Sequence, residues 1–499
     1  MSEPSLLPGS ASGRSSRLLE GIVYGLVLSL GIGGYLFVRW IGEQGVAPVA
    51  TGAVHAPAAV TSDGHPPVDV VFHVLLTLAA MIGLGHLLAR LFRYIGQPPV
   101  IGEVVAGLCL GPSLLGALSP GAMHLLIPAS SADPHGQVAT ALKMIAQLGV
   151  ILYMFVVGLE LNANKLKDQV RAAVLISHVS IIAPFLLGSI LSLWLHREYA
   201  PAGVSFTSFS LFMGVAMAIT AFPVLARILT DREMEGTRLG SMALACAAAD
   251  DATAWCLLAL VVGIVKAEVG TAFRVAAASL AYVAVIFLVV RPLVHGWCRR
   301  IDRSNEPLPK SALVIALVGV LLSALTTETI GIHALFGAFV LGAIVPHESR
   351  LARELKSRLG DSVTILLLPA FFAYTGLRTQ IGLVSGAEAW LACGLIIFVA
   401  TLGKFGGTVI AARTAGIGWR DSAALGTLMN TRGLMELIVL NIGLDLGVIS
   451  PTLFAMMVLM ALATTVATSP MMSLLVKEAE YDGRNEARPR ETEFAGARE

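Results

Sequence analysis

The stretch Ala247-Ala248-Ala249-Asp250-Asp251-Ala252-Thr253-Ala254-Trp255 puts two adjacent aspartates in the middle of an apolar helix. Its flanks, Gly240 to Cys246 and Cys256 to Val265, carry no charge. A carboxylate at the centre of a bilayer costs about 2.5–3.5 kcal/mol on insertion scales, so two side by side need a reason. A water-filled pathway in which they bind and release small cations or protons supplies one. A purely structural pair would need separate partners for each acid.

Working outward, the whole chain reads as an all-α polytopic membrane protein. It has 499 residues, 56% of them hydrophobic, and a mean hydropathy of +0.79. Charged residues make up 13%, about half the share in a soluble globular protein. Apolar runs of roughly 20 residues recur, each long enough to cross about 30 Å of hydrocarbon as a helix and too long for a barrel strand. The net charge of +1, without a basic cluster, gives no sign of a nucleic-acid partner. The five cysteines form no CxxC pair, so neither a disulfide framework nor a zinc site is indicated. No cofactor is expected.

About fourteen spans are predicted, near 18–39, 72–94, 100–116, 140–160, 171–196, 206–229, 237–265, 272–297, 311–330, 332–346, 362–382, 388–413, 421–444 and 451–476. Arg14 and Arg17 precede the first, but it is long and no small-residue cleavage site clearly ends it, so it is kept as a span. Residues 43–70 read as a linker and 477–499 as a disordered tail. Basic residues cluster at every second junction: Arg90 and Arg93, Lys165 to Arg171, Arg227 to Arg238, Arg299 to Lys310, Arg350 to Arg358, Arg413 and Arg420. That alternation puts both termini in the cytoplasm. Arg39, Lys143, Arg197, Lys266, Arg274 and Arg378 are scattered exceptions at the other junctions.

An internal repeat is visible. Gly102-Glu103-Val104-Val105-Ala106-Gly107, followed by Pro112, is echoed by Gly337-Ala338-Phe339-Val340-Leu341-Gly342, followed by Pro346. Phe155-Val156-Val157-Gly158-Leu159-Glu160 is echoed, with one extra residue, by Phe372 to Arg378. The offset drifts from 235 to 218 residues. The implied organisation is an extra span and linker (1–71), a first repeat unit (72–265), a connecting span (266–310), a second unit (311–476) and a cytoplasmic tail (477–499). The connecting span inverts the second unit, and inverted repeats are a transporter signature with the substrate site at the midplane.

Two broken helices are expected where the units correspond. Pro223, in Met217-Ala218-Ile219-Thr220-Ala221-Phe222-Pro223-Val224, removes a backbone donor and disfavours helix just before it. The matching span is polar at its centre: Met429-Asn430-Thr431-Arg432-Gly433-Leu434. Unwound carbonyls and opposed half-helix dipoles there offer ligands to a cation. Lys404, too deep in Ala400-Thr401-Leu402-Gly403-Lys404-Phe405-Gly406-Gly407 to snorkel, is expected to pair with one of the aspartates. Arg432 has Glu436 one turn later on the same face, which also fits a plain neutralising pair. Glu103, Glu160 and His333 read as interfacial.

The stretches Ile219 to Arg227, Ile330 to Phe339 and Asn430 to Leu437 resemble monovalent cation:proton antiporters of the Kef and CHX type. The likeness runs from about residue 75 to 476. It implies the sodium/proton-antiporter fold: a dimerisation domain, a core domain with two crossing broken helices, and a homodimer. It implies that Asp251 carries cation and proton, that Asp250 pairs with Lys404, and that Thr220 lies at the crossover. Asp250 stands where CHX-type members often carry Asn or Gln, which points to electrogenic exchange. No long cytoplasmic domain follows, so nucleotide or glutathione gating is not expected.

The expected function is secondary-active exchange of H⁺ for Na⁺ or K⁺ in a bacterial cytoplasmic membrane, with one carboxylate holding either a proton or a cation. A K⁺ efflux protein of the Kef type, a gated K⁺ channel and a sodium-coupled organic-anion symporter are the transport alternatives. No long carbonyl filter is visible for a channel. An intramembrane aspartyl protease needs two acids facing each other from different helices. Asp250 and Asp251 are neighbours on one helix, and Asp445 lies near a span end, so an enzyme is not expected.

Overall fold

The computed structural model describes residues 12–44, 69–128, 133, 136–160, 170–234, 237–266, 269–304, 308–331 and 333–476. Most of the predicted linker and the whole predicted tail lie outside the described residues. Among those described, regular structure is helical throughout, and each of the fourteen predicted spans holds a helix. Ten helices are long and apolar enough to cross a membrane. Of the remaining spans, two are broken into half-helices, one is the short apolar helix Ala334–Ile344, and one is Ser12–Gln44.

The packing sorts these helices into two bundles that cut across chain order. One contains Val70–Tyr94, Pro99–Leu110, Gln137–Glu160, Lys310–Ile330, Ala334–Ile344 and Leu368–Arg378. The other contains Val170–Tyr199, Phe206–Ala218, Phe222–Asp231, Arg238–Lys266, Gly386–Thr414, Trp419–Met429, Leu434–Asp445 and Pro451–Leu475. Ser12–Gln44 lies against the second bundle. The bundles meet chiefly where Leu368–Arg378 touches Leu434–Asp445 and where Pro99–Leu110 and Ile381–Leu383 touch Pro451–Leu475.

Glycines hold the first bundle together, and they do so in symmetric pairs. A Cβ on Gly107 would lie 2.1 Å from the Ala373 carbonyl oxygen, and one on Gly376 would lie 2.4 Å from that of Val104. Shifted by 235 and 218 residues, these become the contacts of Gly342 with the Phe155 carbonyl (2.3 Å) and of Gly158 with the Phe339 carbonyl (2.4 Å). Gly102 against Leu88 and Gly337 against Ser323 repeat the same relation. Backbones this close need residues without a side chain, as at small-residue interfaces between membrane helices. The motifs that echo one another in the sequence are therefore packing motifs, and each helix is packed against the counterpart of its own neighbour.

Two details differ from expectation. Residues 349–358, read as a loop, form a helix: Ser349 caps Arg350–Ser362, which continues through a π-turn at Val363–Leu367 into Leu368–Arg378. Leu351, Ala352 and Leu355 are buried on one face, so the charges occupy the outer side of an amphipathic helix. In addition, the first break runs over Ile219–Ala221, upstream of the position that Pro223 would impose. Phe222 is already helical, and Pro223 sits in the first turn of its half-helix, where a missing N–H leaves no hydrogen bond unmade.

Candidate functional site: a buried charge cluster at the helix crossover

The two breaks face one another inside the second bundle. Ala221 N–H donates to the Thr431 carbonyl at 3.0 Å, and the Thr220 hydroxyl reaches the Met429 carbonyl at 3.0 Å. At Gly433 the backbone turns with φ 156° and ψ −122°, and a Cβ there would meet Val224 at 2.8 Å. Four half-helix ends thus converge, two presenting carbonyls and two presenting amides.

Charges match those ends. The carbonyls closing Phe206–Ala218 face cations: Arg432 donates to Ala216 O at 3.1 Å and to Met217 O at 2.7 Å, and Lys404 Nζ donates to Ala218 O at 2.5 Å. Cations are stabilised at a helix C-terminus, where unpaired carbonyls concentrate negative potential. At an N-terminus the sign reverses. Glu436 lies in the first turn of Leu434–Asp445, and the Phe222 amide at the start of Phe222–Asp231 faces Asp251.

The two aspartates have opposite surroundings. Asp250 accepts from Lys404 Nζ at 2.6 Å, Thr220 Oγ1 at 2.7 Å, Ser177 Oγ at 2.5 Å and Ser180 Oγ at 3.2 Å. Both its oxygens are fully committed. Asp251 is equally buried, yet neither of its oxygens has a hydrogen-bond partner among the described residues, the Phe222 amide falling outside bonding geometry. Arg432 Nη1 is 3.2 Å from Glu436 Oε2, close enough for an ion pair but poorly aimed for a hydrogen bond. Asn430 leaves its side-chain oxygen unpaired as well. Thr431 lies at the crossing with its hydroxyl 3.4 Å from that of Thr468.

Lys404 reaches this position because of its own helix. It sits in a π-turn, Leu402–Gly406, within Gly386–Thr414, and such turns recur at functional sites. Gly403 lies against Pro184 and Gly407 against Ala183, which draws the lysine helix onto Val170–Tyr199. The sequence reading did not single out Ser177 and Ser180 on that helix. Their three-residue spacing on one face of an apolar span was the available signal. Thr465, which bonds both the N–H and the carbonyl of Arg432, was also missed.

Of the weaker candidates, Glu103 is half-buried in Pro99–Leu110 and Glu160 ends Gln137–Glu160. His333 precedes Ala334–Ile344. The crossover does not include them. Among the described residues no group of three or more His, Cys, Asp and Glu side chains converges as a metal site.

Ionised as drawn, the cluster holds three carboxylates (Asp250, Asp251, Glu436) against two cations (Lys404, Arg432), all buried. A helical membrane protein with crossed half-helices around a net-negative midplane cluster belongs to the class of secondary carriers. Residues 76–477 match the sodium/hydrogen exchanger transmembrane family, and the chain belongs to that family. It is 43% identical to the Na⁺/H⁺ antiporter NhaS4 of Synechocystis over 401 residues, covering 80% of this chain and 96% of that protein. It is 33% identical to the K⁺/H⁺ antiporter 1 of Saccharomyces cerevisiae, covering 79% of this chain and 45% of the yeast protein. This chain thus spans about half the length of the yeast relative. The fold matches the sodium proton antiporter MjNhaP1 of Methanocaldococcus jannaschii with a TM-score of 0.60 at 12% identity, over 83% of this chain and 98% of that one.

Proposed function

We propose that this chain is a secondary-active antiporter exchanging H⁺ for Na⁺ or K⁺. The observation that carries the reading is the charge count at the crossover: with Asp250 on Lys404 and Glu436 on Arg432, Asp251 is one buried carboxylate too many. An uncompensated buried charge is strongly unfavourable, so Asp251 holds either a proton or a cation. That choice is the exchange. Asn430, whose side-chain oxygen has no hydrogen-bond partner among the described residues, and the unwound carbonyls supply neutral ligands at the breaks. The names of the relatives, which cover both Na⁺ and K⁺, support monovalent cations as the cargo.

Transport then follows from movement of the crossover bundle relative to the other, which exposes Asp251 to each face in turn. The repeat units are 72–265 and 311–476, with both termini cytoplasmic, in the cytoplasmic membrane of a bacterium, and the working unit is a homodimer. The decisive experiment is proton flux in proteoliposomes carrying a preset pH gradient, with Na⁺ and K⁺ added in turn. Collapse of the gradient by either cation is expected. If neither collapses it, the antiporter reading is wrong.

A further inference from the structure

A second polar cluster joins the two bundles at the end of the molecule remote from the basic helix Arg350–Ser362. Lys143 Nζ lies 2.7 Å from Asp445 Oδ2, and Arg378 Nη2 lies 2.7 Å from Asp445 Oδ1. Arg378 Nη1 also donates to Asn441 Oδ1 at 2.8 Å, and Asn441 Nδ2 donates to Thr375 Oγ1 at 3.0 Å. Lys143, Thr375 and Arg378 belong to one bundle, Asn441 and Asp445 to the other. Lys143 and Arg378 are also two of the scattered basic residues that broke the charge alternation along the chain. Their acid lies across the bundle boundary.

Three features distinguish this cluster from a passive ion pair. First, Asn441 and Asp445 lie in the C-terminal half of the half-helix Leu434–Asp445, whose first turn carries Glu436 at the crossover, roughly 14 Å from Asp445 along a rigid helix. Second, the boundary nearer the crossover is lined mainly by apolar groups: Val100, Ile101 and Val104 face Leu437, Ala461 and Leu462, with Gly433 and the buried Arg432 and Thr465 completing the lining. At the opposite end Gln97 makes a long neutral bond to the Val466 carbonyl, 3.3 Å. Third, the charged side chains keep between 22% and 35% of their exposure. Partly exposed pairs of this kind are individually weak and break readily.

We propose that Lys143, Arg378, Asn441 and Asp445 form a latch that closes one access state of the carrier and opens once per transport cycle. The proposal rests on the reading of the chain as an alternating-access exchanger. Asp445 is then a positioning residue: it acts on transport through the half-helix and touches no cargo. A latch differs from a structural contact in that holding it shut stops turnover while leaving cargo binding intact.

The test uses the full chain in proteoliposomes with Lys143→Cys and Asp445→Cys joined by a short, cleavable bis-methanethiosulfonate. Joined protein is expected to lose cation-driven proton flux about ten-fold or more, and reductant is expected to restore it. The unsubstituted chain, with its five native cysteines, serves as the reagent control. Joined protein that turns over at the unjoined rate overturns the latch. Asp445→Asn gives a second measurement without added thiols. Its maximal rate is expected to change several-fold while stabilisation against heat by Na⁺ or K⁺ stays as in the parent. Equal change in both, or change in neither, also overturns the proposal. Cleft accessibility scores it independently of flux: labelling of Val104→Cys from the two membrane faces should shift in ratio when Asp445→Asn is added, and an unshifted ratio counts against the latch. A parent chain with no flux for any cation defeats the exchanger reading instead, with the labelling ratio still measurable.

Discussion

About 100° of helix rotation separates Asp250 from Asp251, and that rotation gives them opposite surroundings. Asp250 faces Lys404, Thr220, Ser177 and Ser180. Asp251 faces the break, with no hydrogen-bond partner among the described residues. Asp251→Asn keeps the shape and removes the unmatched charge, so cation-driven flux should vanish while the purified protein unfolds at an equal or higher temperature. Substantial residual flux would mean that the cation binds elsewhere. Asp250→Asn leaves Lys404 without its anion. If this variant transports, it should exchange one proton for one cation and ignore the membrane potential, read in valinomycin-clamped liposomes. A working Asp250→Asn that stays voltage-dependent would mean that Asp250 is not the source of the electrogenic exchange expected from it. Competition also sets a pH dependence. Where protons occupy Asp251 most of the time, each further unit of acidification should raise the half-saturating cation concentration about ten-fold, the effect of one proton displaced per cation. A half-saturating concentration that is flat with pH contradicts competition. At this scale the charged residues were legible because each is expensive in a membrane. Ser177, Ser180 and Thr465 were not, since hydroxyls are common in membrane helices and only the fold shows which of them turn toward a charge.

At the scale of elements, the glycine contacts carry their own test. Gly107→Ala and Gly342→Ala each push a methyl into a carbonyl oxygen of the facing helix, at corresponding places in the two repeats. Both should lower the thermal stability of the purified protein by a similar amount, about 1–3 kcal/mol by the usual cost of overpacking. A large effect at one site and none at the other would break the symmetry relation. The echo between the motifs was readable, because glycine at such spacing reports close helix packing. The exchange between them was not, since Gly107 carries no mark that its neighbour is Ala373 rather than a helix of its own unit. The amphipathic helix Arg350–Ser362 had a signal in Leu351, Leu355 and Leu359. Its charges fitted the expected basic loop equally well, so the leucine spacing and Ser349 as a cap are what separate the two readings.

Across the whole molecule, two bundles of different character share one chain. The first is knit by backbone contact at glycines, the second is built around charge at its crossing. Such a division suits a frame and a moving part, and the basic residues set the orientation expected in the membrane. Cysteine-accessibility labelling should place residues 349–358 and those after Lys477 on the cytoplasmic side. Labelling of both from outside would mean that the second unit runs the same way as the first.

The partnership of Asp250 with Lys404 also has a consequence in time. The two lie 154 residues apart, which at 5–20 residues per second is roughly 8–30 s of synthesis. Between the moment the helix carrying both acids leaves the ribosome and the moment Lys404 leaves it, that lysine is out of reach. The nascent chain therefore passes through a stage in which neither aspartate is neutralised by the finished fold. Ribosome-stalled chains that stop short of Lys404 should retain the span Arg238–Lys266 in the membrane less firmly than the same chains carrying Asp250→Asn and Asp251→Asn. Chains long enough to have released Lys404 should lose that difference.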